Sequence, residues 1–355
     1  MERRTILAVS SAALLAGRTR DPASRGVSTT RSTGIHCPVG PPVTGPVTEV
    51  IAATVDAVRR LDDAEGGNRS SLQYAHQQFA LVAEYVRRES FTTPAVRVRM
   101  VNLWAQLAQT VGWMAMDAGL HGLAQRYFRT GLAAAHESGD LSLTSHLHGC
   151  LTYQAITLGR IRDAIDLANA GITAARTEPP AVRALAAARH AHAHAAFGDV
   201  HGLRQSTDEA RSHLDHPDAL DSRPSWLYWL TDLDVVTGQT LITAGFADSP
   251  GASRLLDEAD PLITPWLGTH AEQTETRDAL LHGTWLARSY LRRDDLEQTL
   301  ATATSLLRYA TTVRSAQVTT ILHGLCADLD HRDDLRNHPG ALELRKQLKA
   351  AAGLT

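Results

Sequence analysis

Histidines, of which the chain has 17, fall at spacings that could support metal or acid–base chemistry. On a helix His190 and His194 share a face because they are four residues apart, and His146 with His148 could add ligands from a neighbouring unit. Structural zinc needs four ligands, and no cysteine or carboxylate is spaced to complete the set. We therefore expect polar residues at helix interfaces and no metal site, with a pH-responsive groove through His192 as an open alternative.

Motifs that carry catalysis are missing from this sequence. It has no GxGxxG, GxxxxGK[ST], HExxH or GxSxG pattern and no pair of CxxC motifs. The paired carboxylates Asp257-Glu258 and Asp294-Asp295 match solvated helix charges. The sequence thus predicts neither a catalytic residue nor a cofactor, although a helical-repeat enzyme with an active site of unfamiliar pattern stays an alternative.

Composition and charge exclude several functional classes. The net charge is −3 and 21% of the residues are charged, which argues against a strongly basic nucleic-acid binder. No stretch approaches the roughly 18 consecutive apolar residues that a membrane span needs. The three cysteines, Cys37, Cys150 and Cys326, are widely spaced, so we expect a reducing, cytoplasmic compartment.

The first 46 residues differ in composition from the rest. Arg3 and Arg4 precede the apolar stretch 5–17, a pattern that also fits a twin-arginine export signal. Arg18 and Arg20 follow this stretch at once, and no clean Ala-x-Ala cleavage site is present. Residues 21–46 are rich in Ser, Thr, Gly and Pro. We therefore expect an apolar N-terminal segment and a disordered linker over 1–46.

From Val47 onward the apolar spacing is helical, and small residues repeat at a fixed interval. The residues Gly119, Ala124 and Gly131 recur forty positions later as Gly159, Ala164 and Gly171. A third unit turns at Gly198, a fourth has Gly238 and Gly245, and a fifth has Ala287 and Asp294. The pattern predicts an all-α solenoid of antiparallel helical hairpins over 47–355, which the insert 213–225 should bend or loosen.

Equivalent positions in these units predict a partner-binding groove. One set stands six residues before each predicted turn and comprises Trp113, Tyr153, His192, Gln239 and Arg288. A second set, one helical row away, contributes His146 and Asp232. Aromatic stacking area with a few directional polar groups is typical of peptide or small-ligand recognition. The alternative is that Trp113 and Tyr153 only seal neighbouring hairpins.

The small-residue register resembles the tetratricopeptide repeat, with a period nearer forty than the usual ~34. The run from Gly112 to Gly131 (GWMAMDAGLHGLAQRYFRTG) resembles the signature hairpin of actinobacterial Xre-type helix-turn-helix regulators. Their carboxy-terminal half is a tetratricopeptide-like sensor. The resemblance implies a regulatory or signalling role through a protein, peptide or small-molecule partner.

The resemblance does not extend to DNA binding. In that family a DNA-binding domain precedes the sensor, whereas no recognition helix precedes the repeats here. We therefore predict a sensor or adaptor without direct nucleic-acid or membrane binding, for which a homodimer stays open. The alternatives are a regulator whose helix-turn-helix domain was lost or lies upstream of the assigned start, and the biosynthetic helical-repeat enzyme.

Overall fold

The computed structural model describes residues 41–247, 251–270, 276–310, 313 and 315–351. Over these residues the chain is all-helical, and its sole strand-like feature is an isolated bridge between Val43 and Phe91. The predicted all-α fold is confirmed. The predicted N-terminal segment and linker lie, as far as residue 40, outside the described residues, and α1 begins at Gly45. No helix in the described ranges is long and apolar enough to cross a membrane.

Fourteen α-helices follow one another through the described residues. In chain order they are α1 Gly45–Glu65, α2 Arg69–Arg88, α3 Pro94–Asp117, α4 His121–Ser138, α5 Leu141–Thr157, α6 Ile161–Ala175, α7 Pro180–Phe197, α8 Val200–Leu214, α9 Asp234–Phe246, α10 Ala252–His270, α11 Thr276–Arg292, α12 Leu296–Leu307, α13 Ala316–Asp330 and α14 Pro339–Ala351. Single turns of 3-10 helix at Ser225–Leu227 and Asp333–Leu335 precede α9 and α14.

The helices pack in consecutive pairs, and we call the first helix of each pair the leading helix. Several leading helices are followed by a residue in the left-handed backbone conformation. Gly119, Gly159 and Gly198 have φ of 74°, 68° and 82°, a conformation that costs glycine least because it has no Cβ. Asp294 takes the same conformation, with φ of 64°, between α11 and α12. The short turns that follow fold each second helix back on its partner, and the turns predicted at these four positions are confirmed.

Small residues elsewhere in the helices allow close helix contacts. A Cβ on Gly112 would lie 2.4 Å from a ring carbon of Phe128, so α3 and α4 approach closely at this point. Gly245 has the same role, since its Cβ would lie 2.4 Å from Leu256 of α10. The turn predicted at Gly245 is therefore wrong: α9 continues to Phe246, and the glycine lies against the next helix.

Each leading helix packs against the next leading helix in the chain, in the order α3, α5, α7, α9, α11 and α13. The last of them also contacts the first. Ser315, at the N-terminus of α13, donates a hydrogen bond to Asp117 of α3, and Ala316 lies beside Gly119. Helices α1 and α2 both pack on α3, so the beginning and the end of the described fold meet at this helix.

Helix α8 ends at Leu214, inside the predicted insert 213–225, and the whole segment between α8 and α9 is 215–233. This longer segment, which we call the insert from here on, folds back onto the leading helices. Trp226, Leu227 and Leu230 are buried in the same hydrophobic core as α1, α3, α5 and α7. The Tyr228 hydroxyl donates a hydrogen bond to Asp63 of α1. The sequence predicted that residues 213–225 bend or loosen the stack. Helices α7 and α9 are in contact across this segment, and whether the stack bends here stays a prediction.

Candidate functional site

Three of the predicted groove residues form a continuous row across the leading helices. The rings of Trp113 on α3 and Tyr153 on α5 have centroids 5.3 Å apart, and those of Tyr153 and His192 on α7 are 5.7 Å apart. His192 Nε2 lies 3.1 Å from the Thr243 hydroxyl of α9. Trp113 and Tyr153 are half-buried, whereas His192 keeps only 5% exposure. The spacing of six residues before the turn placed these three side chains correctly relative to one another.

Gln239 extends the row toward α11. It lies one helical turn before Thr243 and is buried, and its Oε1 is 3.2 Å from Nδ1 of His282. Gln239 was predicted because it stands six residues before Gly245, but Gly245 does not mark a turn. The α9 side chain that contacts His192 is Thr243 and not Gln239. Arg189 of α7 also belongs here, because its guanidinium lies over the ring of Tyr153. We call the surface formed by these side chains the leading-helix face; it comprises Trp113, Tyr153, Arg189, His192, Gln239 and Thr243.

His146 lies beneath the insert. The indole of Trp226 stacks on its imidazole with centroids 4.8 Å apart and planes inclined by 20°. Burial, followed by the positive charge of Arg189, lowers the pKa of His146 to about 3, so this ring is neutral at physiological pH. The structure therefore places His146 in a covered position, where a partner cannot reach it unless the insert moves.

Arg288 and Asp232 are engaged away from this row. Arg288 Nε donates to Asp328 of α13 at 2.6 Å, and its guanidinium lies 4.7 Å from the ring centroid of Trp285. Asp232 is exposed just before α9, and its carboxylate accepts a hydrogen bond from the Asp234 amide at 2.9 Å. Both side chains thus have local structural partners, and neither contacts the aromatic row.

Arg189 is the functional candidate that sequence reasoning missed. Its aliphatic stem packs on Gly149 of α5, where an added Cβ would lie 3.1 Å from its Cγ. Its guanidinium carbon lies 5.3 Å from the ring centroid of Tyr153. A signal was available: Arg189 precedes His192 by three residues and therefore shares its face, within an otherwise alanine-rich helix.

The charge on the leading-helix face comes from this arginine. Burial, and then the positive charge of Arg189, lowers the pKa of His192 to about 3, so that ring is neutral like His146. Burial raises the pKa of the Cys150 thiol to about 12, which leaves it protonated and a poor nucleophile. The leading-helix face thus combines one cation, Arg189, with an imidazole and a thiol that are both neutral near pH 7.

A second charged cluster, which we call the junction, joins the ends of the fold. Asp117 accepts hydrogen bonds from the Gly67 amide at 2.9 Å and from Ser315. Arg277 of α11 lies 3.4 Å from Asp62 of α1 and 3.1 Å from its neighbour Asp278. Burial raises the pKa of Asp62 to about 7, against the opposing effect of Arg277. The junction consists of Asp62, Asp117, Arg277, Asp278 and Ser315.

The His190–His194 pair lies between α7 and α8. Their Nε2 atoms are 3.2 Å apart, His194 Nδ1 is 2.9 Å from Asp199, and His190 Nδ1 is 3.0 Å from Ser206. Each ring thus has a partner at the hairpin interface, as the sequence analysis expected. Within the described residues, no group of three or more His, Cys, Asp or Glu side chains is arranged to hold a metal ion.

Comparisons with known proteins do not place this chain in a family. No protein-family model matches it, and no curated protein has a significantly similar sequence. The similarity of residues 112–131 to the sensor hairpin of helix-turn-helix regulators therefore stays a prediction.

Proposed function

We propose that this chain is a binding module of tetratricopeptide-like architecture, which acts as a sensor or adaptor in regulation or signalling. Consecutive helical hairpins with turns at Gly119, Gly159 and Gly198 support this arrangement, since the intervals of 40 and 39 residues fit one repeating unit. In repeat proteins of this kind, equivalent positions of successive units form one extended binding surface. The leading-helix face is the proposed surface for a protein, peptide or small-molecule partner.

The observation that carries the proposal is the unbroken row from Trp113 through Tyr153 and His192 to Thr243. Four leading helices contribute to it, and its two largest aromatic side chains keep partial exposure. Aromatic rings supply contact area at low entropic cost, while the neighbouring Gln239 and Arg189 supply directional polar groups. The row combines the two features that recognition of a partner needs.

Recognition without chemical conversion fits the state of the titratable groups. The imidazoles of His146 and His192 have pKa values lowered to about 3, so neither is a proton acceptor of useful strength near neutral pH. The Cys150 thiol, with its pKa raised to about 12, is not an activated nucleophile. We therefore propose a non-enzymatic role for this face.

The test is capture of a bound species by a variant of the face and by a matched control. Tyr153→Leu removes the central ring of the row and keeps an apolar side chain of moderate size. Tyr74→Leu makes the same change at an exposed position of α2, away from the row. Each tagged protein is incubated with a native lysate of the source cells, and retained small molecules and peptides are identified by mass spectrometry.

The expected result is a species retained by the wild type and by Tyr74→Leu but lost, by about tenfold or more, with Tyr153→Leu. Circular dichroism of each variant checks that its helical content is unchanged. Equal retention by all three proteins, or retention of nothing, would overturn the proposal. Conversion of the captured compound during incubation would instead support the helical-repeat enzyme.

A further inference from the structure

Arg189 has neither a hydrogen-bond acceptor nor an ion-pair partner within the described part of the chain. By contrast, Arg277 pairs with Asp62 and Asp278, and Arg288 pairs with Asp328. The contact of Arg189 with the face of Tyr153 is a cation–π interaction, which leaves the N–H groups of the guanidinium unused. An arginine offers five N–H donors in a fixed fork, so its hydrogen-bonding capacity is open.

The surroundings of Arg189 make its positive charge costly. Burial lowers the pKa of the guanidinium, and only the Cys150 thiol and the Tyr153 hydroxyl oppose this effect. The positive charge in turn contributes to lowering the pKa values of His146, His192 and His282. An uncompensated cation in such surroundings destabilises a fold, and an anion placed beside it removes much of that cost.

Solvent reaches the guanidinium of Arg189. The nitrogens of the guanidinium have no hydrogen-bond partner among the described residues and are not fully buried, and the residue as a whole is half-buried. A cavity between α5, α7 and Trp226 borders Arg189 but has a volume of about 10 Å³, which is room for about one water. A ligand larger than water cannot enter through this cavity, and the half-buried ring of Tyr153 lies against the guanidinium outside it.

We propose that Arg189 binds the oxyanion, a carboxylate or a phosphate, of the ligand that occupies the leading-helix face. The stem of Arg189 is held on Gly149 and its planar head on Tyr153, so the fork is oriented before the ligand arrives. Carboxylate and phosphate oxygens match this fork in a bidentate manner. The inference rests on the proposed function and specifies the chemical class of its ligand.

Calorimetric titration with two simple anions tests the site and distinguishes the two oxyanions. Inorganic phosphate and acetate are titrated separately into the full-length protein at constant ionic strength, with chloride as the reference salt. Arg189→Met removes the charge but keeps a flexible apolar stem. Arg183→Met is the matched control, because it removes one positive charge from the same helix at another half-buried position.

We expect the wild type and Arg183→Met to bind at least one of the two anions with equal affinity. Arg189→Met should weaken that binding by about tenfold or more, since charge-assisted bidentate hydrogen bonds are lost. Arg189→Lys should retain part of the affinity, because an ammonium keeps the charge but not the fork. If Arg189→Met fails to fold, Arg189→Gln provides the same comparison with a polar head.

Two results would overturn the oxyanion site. One is that the wild type binds neither phosphate nor acetate, and the other is that the two arginine variants weaken binding equally. The capture experiment separates this failure from failure of the proposed function. A species lost with Tyr153→Leu but retained by Arg189→Met would mean a ligand without an anionic contact here, whereas the binding role of the face would stand.

Discussion

Replacing Asp62 with Asn should remove a component of stability that depends on pH. Asp62 lies in the junction, where its side chain keeps 15% exposure, and two further carboxylates, Asp117 and Asp278, share the single guanidinium of Arg277. Three carboxylates around one cation leave negative charge in excess. A proton on Asp62 relieves this excess, which agrees with a pKa raised by burial to about 7.

The sign and size of the effect follow from the difference between the folded and unfolded pKa values. In the unfolded chain Asp62 ionises near 3.8, whereas in the folded protein it keeps its proton up to about pH 7. As the pH rises between these values, ionisation favours the unfolded state by up to about 1.4 kcal/mol per pH unit. Between pH 5 and pH 8 the wild type should therefore lose about 2–3 kcal/mol that Asp62→Asn does not lose.

Urea unfolding at half-unit steps from pH 5 to pH 8 measures this difference. The contact of Asp62 with Arg277 also changes in the variant, but this adds an offset that varies little with pH. The quantity to compare is therefore the free energy of unfolding of Asp62→Asn minus that of the wild type. This difference, which we call the gap, should grow as the pH rises from 5 to 8. Asp166→Asn, on an exposed position of α6, serves as the control and should show a constant gap.

A gap that stays constant for Asp62→Asn over the whole range would refute the reasoning. It would mean that Asp62 is ionised in the folded protein at pH 5 and forms an ordinary ion pair with Arg277. A gap that shrinks with rising pH would also contradict the expected sign. Either result would remove the argument that the junction holds a proton near neutral pH.

Two further predictions concern His192 and Gly112. His192→Gln should flatten the acid side of the stability profile. In the wild type the folded pKa of about 3 lies below the unfolded value of 6.5, so the unfolded imidazole takes up a proton first and the free energy of unfolding falls by about 1–2 kcal/mol between pH 6.5 and pH 5. Urea unfolding at these two pH values measures the loss, and an equal loss in the variant would contradict the reasoning. Gly112→Ala should destabilise by about 1–3 kcal/mol through overlap with Phe128. Gly122→Ala, with nothing within 4 Å of its Cβ, should not destabilise in the same denaturation assay, and equal losses would contradict the packing argument.

Local sequence signals predicted the helix pairs and part of the candidate site. Gly119, Gly159 and Gly198 identify turns because a left-handed residue after a helix favours glycine. Positions six residues before these turns predict the contacts of Trp113 and Tyr153, because neighbouring hairpins repeat the same geometry. Whether this row binds a partner stays a prediction.

Contacts between distant parts of the sequence could not be predicted in the same way. Gly245 resembles a turn residue in spacing, and only its contact with Leu256 shows that it serves packing. The insert contains no repeat signal, so the stacking of Trp226 on His146 is a tertiary feature. Whether Arg189 has an ion-pair partner depends on which carboxylates the fold brings near it. The sequence pattern around Arg189 does not contain that information.

The contact between α13 and α3 has a consequence for how the chain unfolds. In an open array of repeats each unit touches only its neighbours, so terminal units can fray while the middle stays folded. Here Ser315 is hydrogen-bonded to Asp117 across 198 residues of sequence, and Arg277 reaches Asp62 across 215. Fraying at one end would break contacts that the other end needs, so we expect the terminal hairpins to melt together in one cooperative transition.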